Sequence, residues 1–234
     1  MTIYEGSEPQ LFVVFSSWRK EEEMKKSYHE FKNVLSETHP NSHKIFLKDE
    51  KNNWFIKGIN KEFNTISKIL KPIHKYVNHN KITDINFLGS SMGGFGSILY
   101  GKLYSILYKT KTNVLSFSPQ TILIKNSNIL NWNKWTYDCL IELKFNDNNK
   151  LLDLNNTLKR PSECFICCVC SENTKFDIIN IDNIKTYISK WYIITDIECH
   201  NSAYVLQKNN ELNNFIINYK TENINEIKQI KLYK

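Results

Sequence analysis

Gly89-Ser90-Ser91-Met92-Gly93 has the spacing G-x-S-x-G, with a serine two residues from a glycine on either side. The apolar run before it, Ile85 to Leu88, reads as a buried strand, and Gly94 to Tyr100 after it reads as a helix. A serine on a sharp strand-to-helix turn is lifted clear of its sheet. The start of the helix then aims N–H groups at any oxyanion forming beside it. Five of the seven glycines, Gly89, Gly93, Gly94, Gly96 and Gly101, fall in this one segment, as a strained turn and a close helix–strand approach require. The chemistry open to such a serine is nucleophilic attack on an acyl carbon.

A serine hydroxyl is a weak nucleophile near neutral pH. It needs a general base, and the base needs an acid that fixes its tautomer and stabilises its cation. Behind a nucleophile elbow these partners follow in the order serine, acid, histidine. Of the histidines at 29, 39, 43, 74, 79 and 200, only His200 lies after Ser91. It follows an expected strand over Trp191 to Thr195, at the carboxyl edge of the sheet, where ligands bind. The acid belongs on the loop after an expected strand over Cys164 to Cys170. Glu172, Asp177 and Asp182 are the candidates. Asp177 is favoured, although an N-cap would also suit that position. Glu172, nearest the strand end, is the alternative, and Asp182 falls inside the following helix. The oxyanion hole is expected to pair the Met92 N–H with an N–H from Ser16-Ser17-Trp18, the loop after the first major strand. Ser17 is the choice and Trp18 the next. Trp54 is a candidate platform for a sugar ring and Gln120 a candidate polar contact near the nucleophile. Ordinary packing or loop capping is the competing reading of both.

These residues need a scaffold. Short apolar runs alternate with helical stretches, which implies a mostly parallel sheet with helices on both faces. Strands are expected over Leu11–Phe15, His43–Leu47, Asp84–Leu88, Asn113–Phe117, Cys164–Cys170 and Trp191–Thr195. Helices are expected over Arg19–Leu35, over Ile59–Val77 with a kink or restart at Pro72, and around Ile178–Ser189, with further helices finishing the chain. The stretch 121–161 is the least regular and holds Trp132, Trp135 and Tyr137 among many asparagines. It is a candidate cap or insertion over the site, or else a surface excursion packing its own aromatics.

Composition bounds the rest. The 234 residues suit one α/β domain, and no repeat or Pro/Gly/Ser-rich linker divides them. The formal charge of +7 could attract an anionic substrate. The lysines, however, are spread along the chain without the interleaved aromatics of a nucleic-acid surface, so no nucleic-acid partner is expected. No secretory signal is expected from the N-terminal residues, and the longest apolar runs are far too short to cross a bilayer. The expected location is cytoplasmic. Cys164, Cys167 and Cys170 form two overlapping C-x-x-C spacings. Their segment is continuously apolar, with no turn residue between the cysteines, so it reads as a buried strand of reduced cysteines. No metal site is expected.

Taken together, the chain resembles bacterial α/β-hydrolase proteins associated with surface polysaccharide, including capsule O-acetyltransferases of this fold. The resemblance runs through Phe46-Leu47-Lys48-Asp49 with Trp54-Phe55-Ile56-Lys57-Gly58, then Gly89 to Gly96, then Leu115-Ser116-Phe117-Ser118-Pro119-Gln120, then Asp177 and His200-Asn201-Ser202-Ala203-Tyr204. It implies an α/β-hydrolase fold and a triad of Ser91, Asp177 and His200. It further implies acetyl transfer to a sugar hydroxyl of a polysaccharide through a serine ester, with acetyl-coenzyme A as donor and no bound cofactor. The competing expectations are a carbohydrate acetylesterase or small-ester hydrolase using the same residues, and a non-catalytic carbohydrate-binding or assembly protein on this scaffold.

Overall fold

The computed structural model describes residues 1–24, 29–124, 150–195, 197–221 and 228–230. Among them, eight strands form one sheet in the order β1-β3-β2-β4-β5-β6-β7-β8. The strands are β1 Thr2–Tyr4, β2 Gln10–Phe15, β3 His43–Leu47, β4 Asp84–Ser90, β5 Thr112–Phe117, β6 Cys164–Ser171, β7 Lys190–Ile194 and β8 Lys228–Ile230. Only β1 runs antiparallel, along the outer edge of β3. From β2 the chain moves outward to β3 and returns on the other side of β2 as β4. The loops leaving β2 and β4 therefore part at a topological switch point, which opens a crevice at their carboxyl ends.

Strand alternation builds two cores. Leu11, Val13, Phe15, Ile85 and Phe87 face one side. There they meet helices α2 (Ile66–His79), α3 (Met92–Tyr108), α4 (Leu154–Leu158) and α5 (Lys175–Ile184). Phe12, Val14 and Leu88 face the other side, against α1 (Lys32–Thr38), α6 (Ser202–Lys208) and α7 (Leu212–Asn218). The parallel strands, covered on both faces, read as continuous apolar runs for that reason. Cysteines in β6 follow the same alternation. Cys168 and Cys170 enter the first core and Cys167 the second, each fully buried. A C-x-x-C pair in an extended strand thus sends its two sulfurs to opposite faces.

Several expected boundaries move. The helix expected from Ile59 begins at Ile66, where the Thr65 hydroxyl accepts the Lys68 N–H at 3.2 Å. Residues just before it are held in a turn, because the Asn60 carboxamide captures the Glu62 and Phe63 amides at 3.1 and 2.8 Å. Pro72 lies inside α2. Of the expected helix Arg19–Leu35, the described residues show helical turns at Glu21–Met24 and, after Phe31 in a left-handed conformation (φ 59°), helix α1, while 25–28 lie outside the described residues. Strand β7 is not the last, since β8 pairs with it in parallel. The candidate cap at 121–161 falls mostly on 125–149, outside the described residues. Its two ends are tied to the body of the domain. Thr121 N–H donates to Asn180 Oδ1 at 2.6 Å, Ile122 bridges Asp153, and Leu154 and Leu158 enter the first core.

Candidate active site

β4 delivers Ser90 to its carboxyl end, and α3 begins two residues later at Met92. Between them Ser91 adopts φ 53° and ψ −116°, a conformation that costs a non-glycine residue about 1–3 kcal/mol. The turn is over-determined. Ser91 N–H donates to Phe117 O at 2.8 Å and Phe95 N–H donates to Ser91 O at 3.1 Å. A side chain at Gly93 would put its Cβ 2.3 Å from Phe15 O, so only glycine lets α3 start this close to β2.

The nucleophile elbow meets its partners. Ser91 Oγ lies 2.8 Å from His200 Nε2, and His200 Nδ1 lies 2.6 Å from Asp177 Oδ1. Asp177 is fully buried, whereas the His200 side chain is 37% exposed. Asp177 sits in the first turn of α5, where the helix dipole favours a carboxylate. Glu172 is exposed just past β6, and its N–H donates to Ile194 O. Asp182 pairs with Lys185 at 3.1 Å on the surface. The structure therefore brings Asp177, and neither alternative, to the imidazole.

Three serines absent from the sequence expectations hold the histidine loop. Ser171 Oγ donates to Cys199 O at 2.7 Å, Ser202 Oγ to Val169 O at 3.2 Å, and Ser118 Oγ to Ser202 Oγ at 2.9 Å. The residues flanking His200 are thus tied to β6 and to the loop after β5. Phe176 meets the imidazole edge-on, with centroids 5.6 Å apart. The only sequence signal for this clasp is that Ser118 and Ser202 lie in the motif islands at 115–120 and 200–204.

Three expectations are corrected. The Ser17 N–H does not face the nucleophile, because it donates to Glu30 Oε2 at 3.0 Å. The Ser17 hydroxyl lies 2.9 Å from the same oxygen and 2.9 Å from Ser90 O. Arg19 is pinned as well, its N–H donating to Asn52 Oδ1 at 3.2 Å. Trp18 lies between these two committed amides. Burial pushes the Glu30 carboxyl above its ordinary pKa, against the pull of Ser17 and Arg19. Trp54 is not a sugar platform, because it is 0% exposed. Gln120 is not a substrate contact either. It is buried, and its Oε1 accepts the Trp54 indole N–H at 2.7 Å.

Trp54 is held inside by a loop built on Asp49. Asp49 Oδ1 accepts Lys51 N–H at 3.1 Å, and Oδ2 accepts Asn53 and Phe55 N–H at 2.6 and 3.0 Å. Asn52, Trp54 and Phe55 all take positive φ there. Burial raises the Asp49 pKa to about 7, although the three amides favour the carboxylate. Among the described residues no group of three or more His, Cys, Asp or Glu side chains is arranged to hold a metal, and no helix is long and apolar enough to cross a membrane.

No protein-family model matches this chain, and a comparison with curated proteins gives no match. Solved structures are similar in fold. The capsule O-acetyltransferase of Neisseria meningitidis serogroup A aligns with a TM-score of 0.54 at 14% identity, covering 92% of this chain and 87% of its own. The S-formylglutathione hydrolase FrmB of Staphylococcus aureus gives 0.57 at 13%, covering 93% and 86%. The fluorophosphonate-binding serine hydrolase FphF of the same organism gives 0.58 at 15%, also covering 93% and 86%. The sheet order, the crossing at β2 and β4, and these likenesses establish an α/β-hydrolase fold for this chain.

Proposed function

We propose that this chain is a serine acyltransferase that moves an acetyl group from acetyl-coenzyme A to a sugar hydroxyl of a polysaccharide. The observation that carries this reading is the hydrogen-bonded line Ser91 Oγ–His200 Nε2–His200 Nδ1–Asp177 Oδ1, at 2.8 and 2.6 Å. Ser91 Oγ attacks the thioester carbon as His200 Nε2 takes its proton. The Met92 N–H, first in α3 and without an acceptor inside its own helix, stabilises the oxyanion. Collapse expels the thiolate, which takes the proton from His200 and leaves an acetyl ester on Ser91. A sugar hydroxyl then attacks that ester and gives its proton to His200, and departing Ser91 Oγ recovers it. Asp177 remains a carboxylate throughout and keeps the imidazole in the tautomer with Nδ1 protonated.

Three things support the transferase: the sequence resemblance, the capsule O-acetyltransferase among the similar folds, and the basic charge, which suits an anionic donor. A cytoplasmic setting follows from the choice of donor. Hydrolysis by the same residues is the second reading, favoured by the 37% exposure of the His200 side chain, which brings solvent to the imidazole.

The test incubates purified protein with acetyl-coenzyme A, with and without capsular oligosaccharides, and follows thiol release and product mass. Thiol release that depends on an oligosaccharide, with an added acetyl mass, supports transfer. Release without an acceptor supports hydrolysis. Full activity in Ser91→Ala would exclude both.

A further inference from the structure

We propose that the cavity between residues 29–34 and helix α6 is the subsite for the hydroxyl-bearing acceptor, and that it takes one neutral polyhydroxylated ring. The proposal rests on the serine-transfer reading above and adds to it the place and chemistry of acceptor binding. The cavity is about 170 Å³, and its lining includes Ser17, Glu30, Ser90, Asn201, Tyr204 and Gln207. Ser90 immediately precedes Ser91, and Asn201 immediately follows His200. The Ser17 hydroxyl lies 2.9 Å from Ser90 O. The cavity is thus bracketed by the chain neighbours of both reacting residues, while Ser91 and His200 themselves stand just outside its lining. An acceptor seated there has to extend one hydroxyl past Ser90 and Asn201 to the acyl carbon on Ser91, where His200 Nε2 takes its proton.

Size and chemistry narrow the occupant. A cavity on the order of 150 Å³ admits one six-membered ring, so this one suits a single sugar unit. Its lining is rich in hydrogen-bonding groups. A carboxylate accepts at about four lone-pair positions. Oε2 of Glu30 accepts the Ser17 N–H and shares the one Ser17 hydroxyl proton with Ser90 O, while Oε1 faces Arg19 Nη2 at 3.5 Å, so at least one of these positions is left over. Glu30 can therefore still accept from a hydroxyl. The exposed Gln207 amide offers both donors and an acceptor, and the Tyr204 side chain, 48% exposed, offers a ring face beside them. Glu30 already pairs with Arg19 at 3.5 Å, so the two together call for no ionic ligand. Of the basic groups in the lining, Lys32 donates to the Tyr4 hydroxyl at 3.0 Å, and burial and nearby cations keep His29 below its ordinary pKa.

The experiment forms the acetyl-enzyme with 4-nitrophenyl acetate and offers it water together with methyl hexopyranosides or 1-propanol. Mass spectrometry gives the ratio of transfer to hydrolysis within each variant's own acetyl-enzyme, so differences in acylation rate cancel. Gln207→Leu and Tyr204→Ala are expected to lower transfer to the glycosides by about tenfold, the loss of one or two hydrogen bonds or a ring contact. Transfer to 1-propanol should fall far less. Variants that match wild type on the glycosides, or that lose both acceptors alike, overturn the subsite. A wild-type acetyl-enzyme that gives no acetylated glycoside overturns it too, while leaving the serine reading intact. A wild type that forms no acetyl-enzyme on Ser91 removes the serine reading and this subsite with it.

Discussion

Ser91 is held in an unfavourable backbone conformation, and on the proposed chemistry its hydroxyl reacts only while His200 and Asp177 stay aligned. Ser91→Ala and His200→Ala are each expected to lower turnover by about 10⁴- to 10⁶-fold, and the double variant by little more, because the two act as one unit. Steady-state assays on the three proteins check this. Asp177→Asn should cost about 10³- to 10⁴-fold, since an amide favours the wrong imidazole tautomer. Glu172→Gln, exposed and remote from the imidazole, should cost less than about twofold. Equal losses at the two positions would take the triad acid away from Asp177.

At the scale of elements, the Asp49–Gly58 loop shows how a residue can matter without touching substrate. Its three non-glycine residues at positive φ are stabilised by one carboxylate accepting three amides. Asp49→Ala leaves those buried donors without their acceptor and is expected to cost about 3 kcal/mol. The check is a lower urea midpoint at an unchanged slope. The same loop marks where sequence reasoning ran out. Apolar runs placed β2 and β3 well, since Leu11–Phe15 and His43–Leu47 are covered on both faces and show it in composition. The elbow was legible too, because its glycines answer a local geometric demand. The start of α2 was misplaced because the Asn60 carboxamide competes with the helix for the same amides, and apolar spacing does not register that competition. Burial of Trp54 depends on a turn closed by Asp49 and on Gln120, 66 residues away. Loss of the Ser17 amide to Glu30 depends on a contact between two loops. Neither bond has a local signature. The choice of Asp177 over Glu172 was likewise a matter of reach, which only the packing of α5 on β6 decides.

The whole molecule has two polar ends. Opposite Ser91, at the other end of β4, Asp84 accepts Lys220 Nζ at 2.8 and 3.0 Å, Gln10 Nε2 at 2.7 Å and Asn113 Nδ2 at 2.9 Å. Asn86 Oδ1 accepts the Tyr219 hydroxyl at 2.9 Å and Lys220 Nζ at 2.9 Å. This cluster fastens the end of α7 to the sheet. Burial alone would raise the Asp84 pKa, but Lys220 and the amide donors outweigh it and hold the group below its ordinary 3.8. An acid with a depressed folded pKa stabilises the fold above its unfolded pKa and loses that contribution as pH falls through the folded value. The gap in melting temperature between wild type and Asp84→Asn should therefore be widest near neutrality and narrow below about pH 4. A gap that is constant with pH would remove Asp84 from the acid limb.

The 109 residues separating Ser91 from His200 have a consequence for the order in which the chain is made. A growing polypeptide completes the elbow and its helix well before the segments that form β6, α5 and β7 have been synthesised. Until those arrive the serine has neither base nor carboxylate and is an ordinary alcohol. Thioesters and activated esters around the ribosome thus meet no competent nucleophile on the unfinished chain. On the proposed chemistry, reactivity waits on the docking of β6, α5 and β7, so the assembly of the site also reports that these parts of the fold are in place.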